Sequence, residues 1–244
     1  MSSVPALVAV AHGSRDPRWA ATISALVERV RWLRPDLDVR LAFLDLCPPR
    51  LDTVLATLSR AVVVPLLLGR AFHANVDVPA AVARAEATRP GLDVALADVL
   101  GPDPRLQIAA LRRLAEIGVS PEDPEFGVVL AAAGSQQAPF NAAVAAVATA
   151  WSRKTRWVNV MPAFACAAEP TVPQALERLR AAGAPRIAVA SWFLAPGLLP
   201  DKVHRQARNP VLRAAPLGAD CAVAEIIVDR YQAVARSAIA SRSA

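Results

Sequence analysis

Two of the chain's three histidines stand where an imidazole could do chemistry. His12 directly follows the apolar run Ala6–Ala11, and His73 lies beyond a second run, Ala61–Leu68. Both runs predict buried parallel strands, whose carboxyl ends share one edge of a sheet, where ligands bind. An imidazole can take up a proton or bind a divalent metal ion. A lone histidine at a strand end is more often structural, but two converging ones favour a functional crevice.

Two carboxylates accompany these histidines. Asp45 ends the next predicted strand, in AFLDLCPP, and should lie on the same rim as His12. It can equally be read as a cap or turn residue before Pro48 and Pro49. Asp77 follows His73 by four residues and is most simply the N-cap of the helix after it.

Strand and helix patterns alternate along the chain. Strands are predicted at Ala6–Ala11, Val39–Leu44, Ala61–Leu68 and Asp93–Ala97. Between the first two, Trp19, Ile23, Leu26, Val27, Val30 and Leu33 are spaced to form one apolar helix face. The alternation predicts an α/β fold in which a parallel sheet is flanked by helices on both faces.

The pattern restarts halfway along the chain. VVLAAAGS at 128–135 repeats LVAVAHGS at 7–14, and the Phe-Pro pair at 43 and 49 recurs at 164 and 170, both at an offset of 121 residues. Leu68 matches Leu194 at an offset of 126, and LGPD at 100–103 matches LGAD at 217–220 at an offset of 117. These ordered matches predict a duplicated α/β lobe.

The duplication predicts how the chain is divided. Residues 1–117 form an N-terminal lobe carrying the histidines, the acidic, proline-rich segment 118–126 is a linker, and residues 127–244 form a degenerate repeat lobe. In the repeat, Ala133 stands opposite His12 and Leu199 opposite His73. A site needed only once would be lost in this way, and the cleft between two lobes is a natural ligand site.

Composition narrows the class of protein. Hydrophobic residues make up 55% of the 244 residues and charged residues 20%, which excludes a disordered chain. No apolar run is long enough to span a bilayer and the N-terminus lacks signal-peptide features, so we expect a cytoplasmic protein. The net charge of +6 comes mostly from scattered arginines, with only 5% aromatic residues. This favours an anionic small molecule, or mere codon bias, over nucleic acid.

The three cysteines, Cys47, Cys166 and Cys221, are far apart and form no CxxC pair. We expect buried, inert thiols rather than a disulfide framework, a structural zinc site or an iron–sulfur cluster.

The blocks AHGSRDP, FLDLCPP and PLLLGRAFHANVDVP, in this order, resemble the sirohydrochlorin chelatases of the CbiX/SirB type, which are class II tetrapyrrole chelatases. SWFLAPGLLPDKV resembles the histidine-free half of their long, two-lobe form. The resemblance covers residues 5–235, so it implies two chelatase-like lobes. One departure is Asp45, where the family commonly has Glu.

The resemblance implies insertion of a divalent metal into sirohydrochlorin, a polycarboxylate tetrapyrrole. Fe²⁺, giving sirohaem, is favoured, and Co²⁺ for cobalamin synthesis is the alternative. His12 and His73 would be catalytic and, with Asp45, would bind the metal. Substrate contacts are expected from Ser14, Arg15, Arg70, Phe72 and Lys202, with Arg18 and Arg205 as further basic residues. No organic cofactor, nucleic acid or membrane is implied, and the protein would be a monomer or homodimer.

Two rivals stay open. A non-catalytic metal or tetrapyrrole carrier would need the same ligands as a chelatase. A histidine phosphatase is disfavoured because Ala11, and not an arginine, precedes His12.

Overall fold

The computed structural model describes residues 4–69, 76–208 and 210–240, in which strands and helices alternate. The first half contains β1 (Ala6–Ala11), α1 (Pro17–Leu33), β2 (Val39–Phe43), α2 (Leu51–Leu55), β3 (Arg60–Pro65), α3 (Val78–Thr88), β4 (Asp93–Leu96) and α4 (Pro104–Ala115). The second half contains β5 (Phe126–Ala132), α5 (Ala138–Lys154), β6 (Asn159–Phe164), α6 (Val172–Ala181), β7 (Arg186–Ser191), α7 (Leu198–Gln206), β8 (Leu212–Arg213) and α8 (Cys221–Ala240).

The strands form two four-stranded parallel sheets, with the orders β2-β1-β3-β4 and β6-β5-β7-β8. The predicted α/β fold of two repeated parallel sheets is therefore confirmed. β3 ends at Pro65, earlier than the predicted Leu68, because the Leu67 N–H turns back to the Pro65 carbonyl.

Helices cover both faces of each sheet. β1 is buried along its whole length, and α1 buries Ile23, Leu26, Val27 and Val30, four positions of the predicted apolar face. Separate apolar clusters form against each sheet, one including Val8, Val10 and Val82 and the other including Val129 and Val203. In the described part of the chain, no helix is long and apolar enough to cross a membrane.

The chain folds into two compact units, and the predicted lobe boundaries stay a prediction. One unit comprises residues 1–103 together with 219–244, and the other comprises residues 104–218. Helix α4 therefore belongs with the second sheet, and α8 with the first. β5 begins at Phe126, which is fully buried, so the last residue of the predicted linker is part of a strand.

Helix α8 completes the first unit by packing on α1, β3 and β4. The Tyr231 hydroxyl donates to the Pro5 carbonyl at 2.7 Å, and the Arg230 guanidinium donates to the carbonyls of Val99 and Leu100 at 2.8 and 3.0 Å. Ile226 and Ile227 are fully buried. In the second unit, Arg113 of α4 donates similarly to the Leu217 carbonyl at 2.9 Å.

Glycines allow the loops after the first two strands of each sheet to touch. Gly13 has φ +104°, and a Cβ placed there would lie 1.8 Å from the Asp45 carbonyl oxygen. Gly134, 121 residues later, has φ +86° and the same relation to the Cys166 carbonyl, at 1.9 Å. The repeat is thus preserved in loop conformation as well as in strands.

A fragment ending at residue 117 is expected not to fold as an independent lobe. It lacks α8, so the apolar surface that α8 covers on α1, β3 and β4 would face water, and α4 would lack its partner β7. Thermal unfolding followed by circular dichroism should show no cooperative transition, with strong binding of a hydrophobic dye. A cooperative transition like that of the whole chain would contradict the described packing of α8.

Gly13→Ala should be far more destabilising than Gly91→Ala. Both glycines have positive φ, which costs an alanine about 1–2 kcal/mol, but nothing lies within 4 Å of a Cβ at Gly91. Gly134→Ala should resemble Gly13→Ala. Denaturant unfolding measures all three, and equal losses at Gly13 and Gly91 would exclude the close approach to Asp45.

Candidate active site

His12 and Asp45 meet at the carboxyl edge of the first sheet. β1 and β2 are neighbours that pair Ala11 with Phe43, and the ladder continues beyond them. The Leu44 N–H donates to the Ala11 carbonyl, and the Asp45 N–H donates to the His12 carbonyl, both at 2.9 Å. These backbone hydrogen bonds therefore place His12 and Asp45 on the same rim of the sheet. His12 is partly buried, with Nδ1 shielded from solvent.

The Asp45 carboxylate is stabilised in its charged form. The hydrogen bond from the Leu46 N–H lowers the pKa of the Asp45 carboxyl most, burial opposes it, and the Arg50 guanidinium and then His12 lower the pKa further. Arg50 Nη1 lies 2.8 Å from Asp45 Oδ1, and the two side chains are 51% and 61% exposed. Asp45 is thus an accessible anion beside an imidazole.

These residues line a cleft of about 340 Å³ within the first unit. Its walls are His12, Leu44, Asp45, Arg50, Asp77, Ala80, Ala81 and Arg84. One imidazole, two carboxylates and two guanidinium groups therefore converge on one cavity. The arginines of such a cavity can bind an anionic ligand, and His12 and Asp45 offer one imidazole and one carboxylate as donor groups for a cation.

Helix α3 supplies one wall of this cleft. Val78, Val82 and Ala85 face the core, which leaves Asp77 and Arg84 on the cleft side. Asp77 occupies the predicted N-cap position, but its backbone is helical and its side chain makes no capping hydrogen bond. Asp77 is therefore better described as a cleft residue than as a cap.

The predicted ligand set is described only in part. His73, Arg70 and Phe72 lie outside the described residues. Among the residues that are described, no group of three or more His, Cys, Asp or Glu side chains could hold a metal ion. His12 and Asp45 are brought together, and the completion of the set by His73 stays a prediction.

The loop after His12 is held by local hydrogen bonds. The Ser14 hydroxyl accepts from the Asp16 N–H at 3.1 Å, and Asp16 caps α1 by accepting from the Arg18 N–H. The Arg18 guanidinium pairs with Asp16 at 2.6 Å, so this arginine has a local partner. Arg15 is exposed to solvent. Substrate binding by Ser14 and Arg15 stays a prediction.

The second unit has the same loop geometry but lacks the imidazole and the carboxylate of the first. Cys166 stands where Asp45 does, and its thiol donates to the Ala133 carbonyl at 3.1 Å. Lys202 of α7 donates from Nζ to the Ala165 carbonyl at 2.7 Å. Substrate binding by Lys202 stays a prediction. The carbonyl of Ala165 is already a partner of its ammonium group within the second unit.

Core packing changes one match between the repeats. Val63 and Val189 are equivalent strand residues at an offset of 126, whereas the core residues Val82 and Val203 of α3 and α7 differ by 121. At that offset, Leu199 matches Val78 rather than His73. The segment between Val63 and Val82 is thus five residues longer than its counterpart, and the pairing of Leu199 with His73 stays a prediction.

The expectation of buried thiols was wrong, because Cys166 is exposed and Cys47 and Cys221, in a loop and at a helix start, are only partly buried. Sequence reasoning also missed Arg50 and Arg84 in the cleft. The spacing of Asp77 and Arg84, two helical turns apart on the side opposite the core residues, is the signal that could have found Arg84.

His204, the third histidine, lies in α7 of the second unit. Burial, and then the positive charge of Arg213, lower the pKa of its imidazole below the usual value. The imidazole therefore stays neutral at a pH where an exposed histidine takes up a proton.

His204 should make the fold sensitive to mild acid. Since the folded-state pKa is below the unfolded value of about 6.5, its stabilising effect is complete above that pH and is lost as pH falls below it. The melting temperature should therefore drop less in His204→Gln than in wild type between about pH 7.5 and about pH 5. Identical drops would show that His204 does not titrate in this way.

Comparison with known proteins identifies the family. A family model described as CbiX matches residues 6–117 and again residues 127–234. The sirohydrochlorin ferrochelatase of Bacillus subtilis (strain 168) is 25% identical over 209 residues, which are 84% of this chain and 79% of that protein. The sirohydrochlorin cobaltochelatase of Priestia megaterium is 24% identical over 211 residues, covering 82% of this chain and 67% of that protein.

Solved structures share the fold over nearly the whole chain. SirB from Bacillus subtilis with Fe³⁺ superposes with a TM-score of 0.82 at 24% identity, covering 97% of this chain and 98% of that one. The sirohydrochlorin chelatase SirB of Bacillus subtilis subspecies spizizenii, in complex with cobalt, gives a TM-score of 0.77 at 24% identity, covering 96% of each. Because two successive copies of the family model cover most of its residues, the chain belongs to the CbiX family.

Proposed function

We propose that the chain is a sirohydrochlorin chelatase, which inserts a divalent metal ion into sirohydrochlorin. The observation that carries this proposal is the convergence of His12 and Asp45 on one cleft of the first unit. Their counterparts in the repeat, Ala133 and Cys166, have neither an imidazole nor a carboxylate. Relatives of the same family named sirohydrochlorin ferrochelatase and cobaltochelatase support the substrate.

The chemistry needs a base and a weak metal site. Inserting M²⁺ releases the two protons of the pyrrole N–H groups and requires the hydrated ion to lose its water ligands. His12, partly buried and beside an anionic carboxylate, can accept a proton at neutral pH. Asp45 offers an oxygen ligand that is ionised and accessible. An imidazole and a carboxylate hold Fe²⁺ or Co²⁺ without the tight thiolate binding that would trap the ion.

The rim of the cleft also suits a tetrapyrrole. Leu46 and Val76, each 45% exposed, flank the two carboxylate residues in sequence and offer apolar surface for the macrocycle. Arg50 and Arg84 line the cleft and can bind the carboxylate groups at its periphery. Asp77, which also lines the cleft, follows His73 by four residues, which supports a role for His73 as the second imidazole.

Fe²⁺ is the metal we propose first, with Co²⁺ as the second candidate. Both kinds of relative have similar identity to this chain, and intrinsic affinities of nitrogen and oxygen ligands do not decide which metal a cell supplies. We further propose that the metal is a co-substrate, that no organic cofactor is used, and that the protein acts in the cytoplasm as a monomer or homodimer.

His12→Ala should abolish catalysed metal insertion. Loss of the base and of one ligand is expected to lower the rate by about a hundredfold or more, because proton transfer by a positioned side chain contributes about that much. His73→Ala should do the same, and Asp45→Asn should lower the rate partly and raise the metal requirement. The assay is the absorbance change of sirohydrochlorin with Fe²⁺, Co²⁺ or Ni²⁺, corrected for the spontaneous rate.

His204→Ala is the matched control, since it removes the histidine of the other unit, and it should keep wild-type activity. Full activity in His12→Ala would overturn the proposed function. Wild-type protein that binds metal and sirohydrochlorin but inserts no metal would favour a carrier.

A further inference from the structure

The Arg50 side chain contacts Asp45 and does not cap helix α2, although Arg50 stands at the N-cap position. It occupies the N-cap position of α2, with extended backbone at φ −73° and ψ 150°, and its side chain makes no capping hydrogen bond. Ser, Thr, Asp and Asn are the residues that stabilise this position. The Arg50 guanidinium instead donates to Asp45 Oδ1 at 2.8 Å.

In the second unit, the position equivalent to Arg50 carries an ordinary N-cap residue. Thr171, 121 residues after Arg50, is the N-cap of α6, and its N–H donates to Gln174 Oε1 at 2.7 Å. The carboxylate is also absent there, because Cys166 replaces Asp45. The arginine and the carboxylate therefore occur together in the unit that has His12, and neither occurs in the unit that lacks it.

The ion pair between Arg50 and Asp45 can be exchanged. Its side chains are 51% and 61% exposed, and ion pairs at such exposure add little to stability. Both residues line the cleft, and the bond to Asp45 engages only one guanidinium nitrogen, Nη1. A planar guanidinium binds carboxylates in a bidentate manner, so a ligand carboxylate could replace Asp45.

We propose that Arg50 couples the binding of the tetrapyrrole to the release of the metal-binding carboxylate. Without tetrapyrrole, Arg50 neutralises Asp45 and disfavours binding of a cation beside His12. When a carboxylate group of the tetrapyrrole pairs with Arg50, Asp45 becomes free to bind the incoming M²⁺. Metal capture is thereby favoured only when the acceptor is present. This inference rests on the proposed function.

The first test is a titration of the protein with Co²⁺ alone. Arg50→Thr installs the residue of the repeat, so it should keep or raise the melting temperature while releasing Asp45. Co²⁺ binding, followed by its visible absorption or by calorimetry, should tighten by about two- to fivefold. The tightening should vanish when Asp45→Asn is added to Arg50→Thr.

The second test is kinetic. In Arg50→Thr, the KM for sirohydrochlorin should rise by about three- to tenfold, while kcat at saturating metal and tetrapyrrole changes less. Arg50→Gln, which keeps much of the side-chain length, should give the same two shifts. If Arg50 were merely structural, its substitution would change the melting temperature. It would not tighten Co²⁺ binding and at the same time raise the KM for sirohydrochlorin.

Arg40→Thr is the matched control. Arg40 pairs with Asp38 at the other end of β2, with side chains 50% and 46% exposed, so its loss changes net charge equally without touching the cleft. It should leave Co²⁺ affinity and KM unchanged.

Weaker or unchanged Co²⁺ binding in both Arg50 variants would overturn the exchange. Equal effects of Arg40→Thr and Arg50→Thr would also overturn it, because net charge would then explain them. Since the Co²⁺ titration uses no tetrapyrrole, failure of the chelatase assay in wild type would count against the proposed function and not against this result.

Discussion

In the first unit, the loops after β1 and β2 touch through the hydrogen bond from the Asp45 N–H to the His12 carbonyl, which Gly13 makes possible. At a distance of 1.8 Å from the Asp45 oxygen, no side chain at position 13 would fit. This contact turns two residues far apart in sequence into neighbours on one rim. Both residues line the cleft of the first unit.

The second unit shows that this scaffold is independent of the chemistry placed on it. Gly134 makes the same approach to Cys166, yet Ala133 and Cys166 have neither an imidazole nor a carboxylate, and Thr171, an ordinary N-cap residue, precedes the helix. Backbone geometry has survived duplication, while the side chains that we propose to be functional have been replaced. The helix start at Arg50, which lacks a capping side chain, is where the proposed function would offset a local loss of stability.

Much of this arrangement could be predicted from the sequence. Strand periodicity and the position of His12 and Asp45 directly after strands were sufficient to place both on one sheet edge. The assignment of α8 to the first unit was not predictable, because an amphipathic helix carries no sign of which apolar surface it covers. Arg50 was missed because its partner depends on the turn around Leu46, which has the unusual φ of 66°.

The proposed function requires that His12 and Asp45 of the first unit together bind the metal ion. Anomalous diffraction at the cobalt edge, from crystals soaked in excess Co²⁺, locates bound ions. We expect a cobalt peak within about 2.0–2.2 Å of an imidazole nitrogen of His12 and an Asp45 oxygen, a range taken from zinc sites with the same ligands. No peak is expected beside Ala133 and Cys166. A peak elsewhere, with His12 and Asp45 unliganded, would show that this pair does not bind the metal.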